Sequence, residues 1–323
     1  MQFEKLTFDI PAIMECQRNR YPMLFIDFVS ECVPGEYAKG IKTFSINEWF
    51  FHGYSTGEPK VWNVIQIEAM SQMFLMTFLT NEELRGKVAM SNRFSNVNFY
   101  RKITPGDTLF IEAELDSLRR GIAKGRVKGF VENEIACSME CVILIPDQMV
   151  LANTDSKNVP IDVGIANDWK TGRSLNYPGI RACLLNHYPW LFIDRVIDHE
   201  PGKFVRAIKN FTFNEHFFPS HFESDPSVPG FIQIETCMQA FLLTFLTKEE
   251  YKRKETADRK LDNVVIKRKI RPGETLSIEA ILTKSKRGIF EGEVLSFVGE
   301  EPAVSFNVTV VLISEFNKFM PAR

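Results

Sequence analysis

Two long apolar stretches dominate the hydrophobic pattern of the chain, at 61–80 and at 228–247. Each is long enough to cross a bilayer, but each also carries one glutamate and two glutamines, which lipid would penalise heavily. We therefore interpret both as helices buried inside protein, and we expect no membrane span.

Shorter patterned segments surround each of these helices. The sequence predicts a short helix at 10–17 and at 177–184, followed by strand-like segments that end before a loop bearing Gly or Pro. Four segments rich in Val, Ile and Phe follow each long helix, with turns at 105–106 and 272–273, both Pro-Gly. One buried helix followed by an antiparallel meander is typical of an α+β domain whose sheet wraps the helix.

The whole pattern occurs twice. YPMLFIDFV at 21–29 returns as YPWLFIDRV at 188–196, and IQIE occurs at 65–68 and again at 232–235. Self-similarity of this kind indicates one domain that has been duplicated.

The repeat predicts three parts of the chain. These are a first domain at 1–146, a linker at 147–176 and a second domain at 177–323. The linker is polar and has no hydrophobic period, and its length lets the second copy dock symmetrically on the first.

Composition narrows the class of protein. Of 323 residues, 45% are hydrophobic and 25% charged, which excludes a disordered chain, and a net charge of -2 argues against nucleic acid as the main partner. The six cysteines are scattered without a CxxC pair and only five histidines are present, so no metal site is expected. The first residues, MQFEKLTFDIP, lack the apolar core of a signal peptide, and we expect a reduced, cytoplasmic compartment.

A glutamate in the middle of each apolar helix is the first candidate for chemistry. Glu68 and Glu235 each share a helical stripe with a glutamine one turn later, Gln72 and Gln239. Removing a carboxylate from water is costly, so such a group usually has a raised pKa and a function. A structural glutamate that accepts from the amides of a nearby loop is the alternative. The two glutamines could hydrogen-bond either to free backbone groups at helix ends or to the carboxyl group, and we favour the helix ends.

The loop before the second long helix is the other candidate. It runs NEHFFPSHFESDPSVPGF, and the helix is predicted to start near Pro229-Gly230. Free N–H groups at the positive end of a helix dipole suit a developing oxyanion. His221 precedes them, and although a lone histidine is more often structural, its neighbours here favour function.

These motifs resemble those of the β-hydroxyacyl-acyl carrier protein dehydratases of the FabZ and FabA type. In the second copy the resemblance rests on FFPSHFESDPSVPG followed by IQIETCMQ, and in the first copy it rests on IEAMSQ. The resemblance implies a double hotdog, that is, two tandem hotdog domains that form an intramolecular pseudo-dimer. Further trimerisation of this pseudo-dimer is also compatible with the family.

In such dehydratases each active site takes its histidine from one hotdog and its acid from the other. Carried over by position, His221 and the oxyanion donor Gly230 would face Glu68, with Gln72 in support. The mirror site would face Glu235, but Tyr54 and Asn63 stand where histidine and glycine are needed. One site is therefore predicted to be active and the other degenerate.

The resemblance implies dehydration of a (3R)-hydroxyacyl thioester to the trans-2-enoyl thioester, in fatty acid or polyketide-type biosynthesis. It implies no cofactor, and a substrate held on the 4'-phosphopantetheine of acyl carrier protein or on coenzyme A. Basic residues are candidates for contact with an acidic carrier protein, with a solvated strand end as the alternative: Lys267, Arg268, Lys269 and Arg271. A hotdog thioesterase, a hydratase running the reaction backwards and a non-catalytic acyl-binding or partner subunit stay open.

Overall fold

The structure is a computed structural model, and it describes residues 5–53, 58–146 and 173–320. The chain divides into two compact units. The first comprises Met1–Asn47, Lys60–Pro160 and His216–Phe231, and the second comprises Glu48–Pro59, Ile161–Glu215 and Ile232–Arg323. Each unit therefore combines most of one repeat with a loop segment of the other repeat.

Among its described residues, the first unit contains seven strands and one long helix. Its antiparallel sheet has the order β1-β2-β3-β5-β6-β7-β4. The strands are β1 (Leu6–Phe8), β2 (Phe28–Val33), β3 (Tyr37–Thr43), β4 (Met90–Phe99), β5 (Thr108–Arg119), β6 (Ile122–Val131) and β7 (Glu134–Leu144). The helices of this repeat are α1 (Ile10–Cys16), a 3-10 turn (Trp49–Gly53) and α2 (Asn63–Leu79).

Helix α2 lies very close to the inner face of this sheet. A Cβ placed on Gly40 of β3 would come within 2.6 Å of the Met73 side chain, and one on Gly125 within 2.4 Å of the Phe74 ring. Glycine is required at both positions because a Cβ would also come within 2.2 Å of the Phe28 carbonyl oxygen at Gly40 and within 2.1 Å of the Glu114 carbonyl oxygen at Gly125, and neither backbone can move easily. Nearly every side chain of α2 is buried. This burial explains why most of the helix is apolar.

The second unit repeats this arrangement. Its antiparallel sheet has the order β10-β13-β12-β11-β9-β8. The strands are β8 (Arg195–Glu200), β9 (Phe204–Asn210), β10 (Thr256–Ile266), β11 (Thr275–Lys286), β12 (Ile289–Val298) and β13 (Glu301–Leu312). The helices of this repeat are α3 (Tyr177–Cys183), α4 (Gly230–Leu246), α5 (Ile313–Phe316) and 3-10 turns at Glu249–Tyr251 and Asn317–Phe319.

Local sequence signals explain where the short helices begin. Asp9 caps α1 by accepting from the backbone N–H of Ala12 at 3.1 Å, and Asn176 caps α3 through Gly179 at 3.3 Å. Both helices have a proline in the first turn, where its missing N–H costs nothing. The predicted positions of these helices are confirmed to within one residue.

The α+β class predicted from the sequence is confirmed. Of the helices in the described ranges, none combines the length and the apolar character that crossing a membrane requires. Most of the predicted linker, 147–172, lies outside the described residues. Its last residues are described, and there Leu175 pairs with Val196 in an isolated antiparallel bridge.

Candidate active site

Glu68 lies in the middle of α2, where its carboxyl group is half-buried. Its Oε1 accepts a hydrogen bond of 2.8 Å from Nε2 of Gln72, one turn later in the helix. Burial raises the pKa of Glu68 from an ordinary value of 4.5 to about 7, against the opposing effect of the Gln72 hydrogen bond. A carboxyl group with this pKa exists in both protonation states near neutral pH, so it can give or take a proton.

Gln72 ties this carboxyl group to a neighbouring loop. Besides Glu68, its Nε2 donates to the carbonyl oxygen of Met23 at 2.8 Å, and its Oε1 accepts from the backbone N–H of Phe25 at 2.7 Å. The preference for helix ends as the role of this glutamine is wrong. Its partners are the carboxyl group and the backbone of the 21–27 loop, because the side chain points across the helix toward that loop.

The second repeat contains the same set of hydrogen bonds. Gln239 donates to Oε1 of Glu235 at 2.8 Å and to the carbonyl oxygen of Trp190 at 3.0 Å, and it accepts from the backbone N–H of Phe192 at 2.8 Å. The glutamine, the acid and the loop therefore form one conserved frame in both repeats. We call this frame the glutamine clamp.

His221 is held by its own loop. Its Nδ1 lies 2.9 Å from the carbonyl oxygen of Ser227, and the Ser227 N–H donates back to the His221 carbonyl oxygen at 2.9 Å. The ring stacks on Phe222, with 4.3 Å between ring centroids. Because a carbonyl oxygen only accepts, Nδ1 carries the ring proton, and Nε2 of the neutral imidazole is an acceptor. The loop therefore selects the tautomer that a general base needs.

Gly230 is the first residue of α4, at the position expected for an oxyanion donor. The N–H groups of a first helical turn have no acceptor within the helix, and the helix dipole is positive there. The neighbouring Phe231 ring packs edge-on against Phe25, with 5.5 Å between centroids. Since Gln72 holds both the Phe25 N–H and Glu68, three successive contacts link the start of α4 to the acid.

The segment that carries the histidine belongs to the same compact unit as Glu68. His216–Phe231 groups with Lys60–Pro160, so the structure places His221, Gly230 and Glu68 in the first unit. Glu235 lies in the second unit, together with the loop Glu48–Pro59 of the first repeat.

Aromatic side chains fill the region around the Glu235 clamp. Trp190 is fully buried, and its ring lies 5.4 Å from Trp49, 6.5 Å from Phe50 and 5.5 Å from Phe192, measured between centroids. By the repeat offset, Met23 and His216 occupy the positions of Trp190 and Trp49 in the other copy. The sequence reasoning missed this cluster, although the two exchanges to tryptophan were its signal.

The other predicted features of the degenerate site are only partly described. Asn63 is the first residue of α2, and its Oδ1 accepts a hydrogen bond of 3.0 Å from Nε2 of Gln66. A side chain therefore stands where Gly230 has none. Tyr54 lies outside the described residues.

The basic residues proposed for carrier-protein contact differ in their surroundings. Arg268 pairs with Glu301 at 2.6 Å and also with Glu274, so its charge is locally compensated. Lys267 and Arg271 are exposed. Across residues 5–53, 58–146 and 173–320, no group of three or more His, Cys, Asp or Glu side chains is placed to hold a metal ion.

A long helix wrapped by an antiparallel sheet, present twice, defines the fold, and solved structures agree with it. The dehydratase domain from the CurJ module of the curacin polyketide synthase has a TM-score of 0.56 at 11% identity, covering 92% of this chain and 98% of that one. The dehydratase domain of RzxB from Pseudomonas fluorescens has a TM-score of 0.55 at 11% identity, covering 84% and 94%. The predicted tandem hotdog fold is confirmed.

The family follows from sequence comparison. The FabA-like domain matches twice, at residues 18–140 and 184–307, and the chain belongs to this family. The 3-hydroxyacyl-[acyl-carrier-protein] dehydratase FabZ of Caldicellulosiruptor saccharolyticus is 38% identical over 138 residues, which is 43% of this chain and 99% of that protein. The corresponding protein of Natranaerobius thermophilus is 40% identical over 128 residues, covering 40% and 90%. The predicted class of enzyme, a hydro-lyase of the dehydratase type, is confirmed.

Proposed function

We propose that the protein dehydrates a (3R)-hydroxyacyl thioester to the trans-2-enoyl thioester at one composite active site. His221 and Gly230 of the second repeat and Glu68 of the first form this site, and the two repeats serve as the halves of a pseudo-dimer. The observation that carries the proposal is the contact path from Phe231 through Phe25 and Gln72 to Glu68. It connects the helix start with the acid inside one compact unit.

His221 removes the proton from C2 of the substrate. Its Nδ1 proton is engaged by the Ser227 carbonyl oxygen, so Nε2 is the nitrogen that accepts the C2 proton. The imidazolium that forms keeps this hydrogen bond, which stabilises the charge.

The backbone N–H of Gly230 binds the thioester carbonyl oxygen. As the C2–H bond breaks, negative charge moves onto this oxygen, and the donor at the positive helix end stabilises it. Glycine suits the position because a side chain there, such as that of Asn63 in the other repeat, would occupy space that the thioester needs.

Glu68 protonates the hydroxyl group that leaves C3. A carboxyl group with a pKa of about 7 is neutral in a large fraction of molecules at working pH. The C3–O bond breaks, its electron pair stays with oxygen, and the Glu68 proton completes a water molecule. The proton held by His221 then returns to Glu68, so the enzyme ends each cycle unchanged.

The thioester is carried on the 4'-phosphopantetheine of an acyl carrier protein or on coenzyme A. The exposed Lys267 and Arg271 provide positive charge for an acidic carrier protein. If this surface is used, the double variant Lys267→Glu and Arg271→Glu raises KM for a carrier-protein substrate and leaves KM for the coenzyme A thioester unchanged. An equal change for both carriers would contradict the proposal.

The central experiment measures loss of water from (3R)-hydroxyacyl thioesters on both carriers, with Glu68→Gln and its matched control Glu235→Gln. We expect Glu68→Gln to lower kcat by roughly a hundredfold or more and Glu235→Gln to retain activity, since general acid catalysis contributes on that scale. Loss of activity in Glu235→Gln alone would show that the repeats pair differently. Hydrolysis of the thioester without water loss would indicate a thioesterase, and no turnover at any chain length would indicate a binding subunit.

A further inference from the structure

Ser71 carries a hydroxyl group that the fold does not use. Its side chain is buried in α2, and within the part of the chain that the structure describes its Oγ has no hydrogen-bond partner. Four threonines of the two long helices and their ends differ from Ser71, because each donates to a carbonyl oxygen of its own helix: Thr77, Thr80, Thr236 and Thr244. Thr247, just beyond the end of α4, also has no partner for its hydroxyl group among the described residues. A buried hydroxyl without a partner destabilises the folded protein, so its presence calls for a functional reason.

The position of Ser71 on the helix supplies that reason. It follows Glu68 by three residues, and side chains at this spacing are neighbours on one face of a helix. The side of α2 that packs on the sheet carries Met70, which contacts Cys137, and Met73, which contacts Gly40. Glu68 and Ser71 both lie away from that side.

The second repeat does not keep the hydroxyl. Met238 occupies the position of Ser71 there, and it is equally buried. Glu235 and Gln239 of the glutamine clamp are kept in the same helix. The fold therefore accepts an apolar side chain at this position, and the hydroxyl occurs only beside the acid to which we assign chemistry.

We propose that Ser71 is a catalytic residue whose Oγ–H donates to the C3 oxygen of the substrate, next to the Glu68 carboxyl group. This inference rests on the proposed function of the site. Gln72 donates to Oε1 of Glu68, so the carboxyl proton resides on Oε2, the oxygen that faces the substrate hydroxyl. The C3 oxygen then receives the proton of Glu68 and a hydrogen bond from Ser71.

No covalent change takes place on Ser71. When the C3–O bond breaks, its electron pair stays on oxygen, Glu68 supplies the proton, and water forms while Ser71 keeps its own proton. The hydrogen bond from Ser71 strengthens as negative charge develops on the leaving oxygen, so it acts mainly in the transition state. In the reverse reaction the same hydroxyl orients the attacking water.

The test compares Ser71→Ala with the matched control Met238→Ala. Loss of one hydrogen bond to the leaving oxygen predicts a fall in kcat of about tenfold with KM within about twofold, since a difference of that size corresponds to a typical hydrogen bond. The melting temperature of Ser71→Ala stays equal or rises, because an unsatisfied buried group is removed. Met238→Ala, which opens space in a packed core, lowers the melting temperature and leaves kcat unchanged.

Deuterium exchange at C2 in heavy water separates catalysis from a structural role. His221 removes the C2 proton, so in Ser71→Ala the ratio of C2 exchange to water loss rises. Ser71→Thr, which keeps a hydroxyl group, restores part of kcat.

Three results would overturn the inference. If wild type turns over and His221→Ala does not, but Ser71→Ala has normal kcat, Ser71 has no catalytic role while the proposed function stands. A lower melting temperature of Ser71→Ala together with an unchanged exchange ratio would assign the residue to packing. Absence of turnover in wild type would reject both proposals.

Discussion

The regions around Glu68 and Glu235 contain the same glutamine clamp but different surroundings. In each, a glutamine one turn beyond the acid binds the acid and two backbone groups of the preceding loop. Near Glu68 the compact unit includes a loop with a histidine and the glycine at which α4 begins. Near Glu235 the fully buried Trp190, which stands where the first repeat has Met23, packs against Trp49.

This difference distinguishes the residues that the fold needs from those that a reaction would need. The clamp satisfies buried backbone groups, so any copy of the fold needs it whether or not a reaction takes place. The histidine and the glycine at a helix start belong to the second repeat only, and Tyr54 and Asn63 stand at the matched positions of the first repeat. The presence of a buried acid is therefore weak evidence for an active site in this fold, and the loop that faces it is strong evidence.

The largest effect expected from breaking the contrast is at His221. His221→Ala removes the general base, and we expect kcat/KM to fall by roughly a thousandfold, within the range that general base catalysis contributes. Tyr54→Ala, at the matched position of the first repeat, leaves the rate unchanged. Comparable losses in both variants would mean that two sites work, and the asymmetry proposed here would be rejected.

The pH dependence sharpens the role of Glu68. Since its pKa is raised to about 7, the acid form needed for water loss disappears above that pH, and kcat falls about tenfold per unit on the alkaline side. The raised pKa also means that folding stability from this group is complete below pH 4.5 and is lost as the pH rises through about 7. Glu68→Gln removes both effects, which a pH–rate profile and thermal melts would measure. An alkaline limb that persists in this variant belongs to another group.

The glutamine clamp itself offers a matched pair, Gln72→Leu and Gln239→Leu. Each change leaves buried backbone groups unsatisfied, and we expect both melting temperatures to fall by several degrees to a similar extent. Only Gln72→Leu lowers kcat, by about tenfold, because only its acid reacts. The two variants are assayed well below their melting temperatures. Equal losses of kcat would mean that both Glu68 and Glu235 take part in catalysis.

The smallest effect on activity is expected at Trp190. Trp190→Ala removes a fully buried aromatic ring and should destabilise the protein by about 3–5 kcal/mol, as large-to-small core changes do. Activity measured below the melting temperature stays close to that of wild type. Met23→Ala at the matched position is expected to affect the rate, because it removes a buried side chain beside the carbonyl oxygen that Gln72 binds and so loosens the clamp at Glu68. A large loss of rate in Trp190→Ala would instead indicate that the aromatic cluster around Glu235 takes part in catalysis.

The parts of this molecule that follow from local pattern could be read from the sequence. The helices α2 and α4, the duplication, the buried acids and the start of α4 at Gly230 all depend on neighbours in the chain. The clamp could not be predicted, because Gln72 reaches a backbone group 47 residues away, and no periodicity specifies that contact. The same holds for the tautomer of His221, which depends on how its loop closes on Ser227.

The exchange of loop segments between the compact units also has a genetic consequence. Each half of the gene encodes a segment that completes the compact unit of the other half. When one gene specifies two identical subunits, every substitution in such a loop appears in both places at once. A fused gene removes this restriction, so one loop can lose its histidine while the other keeps it. Duplication therefore gave this protein two loops that can evolve independently. Selection on each loop acts through the compact unit that the loop completes.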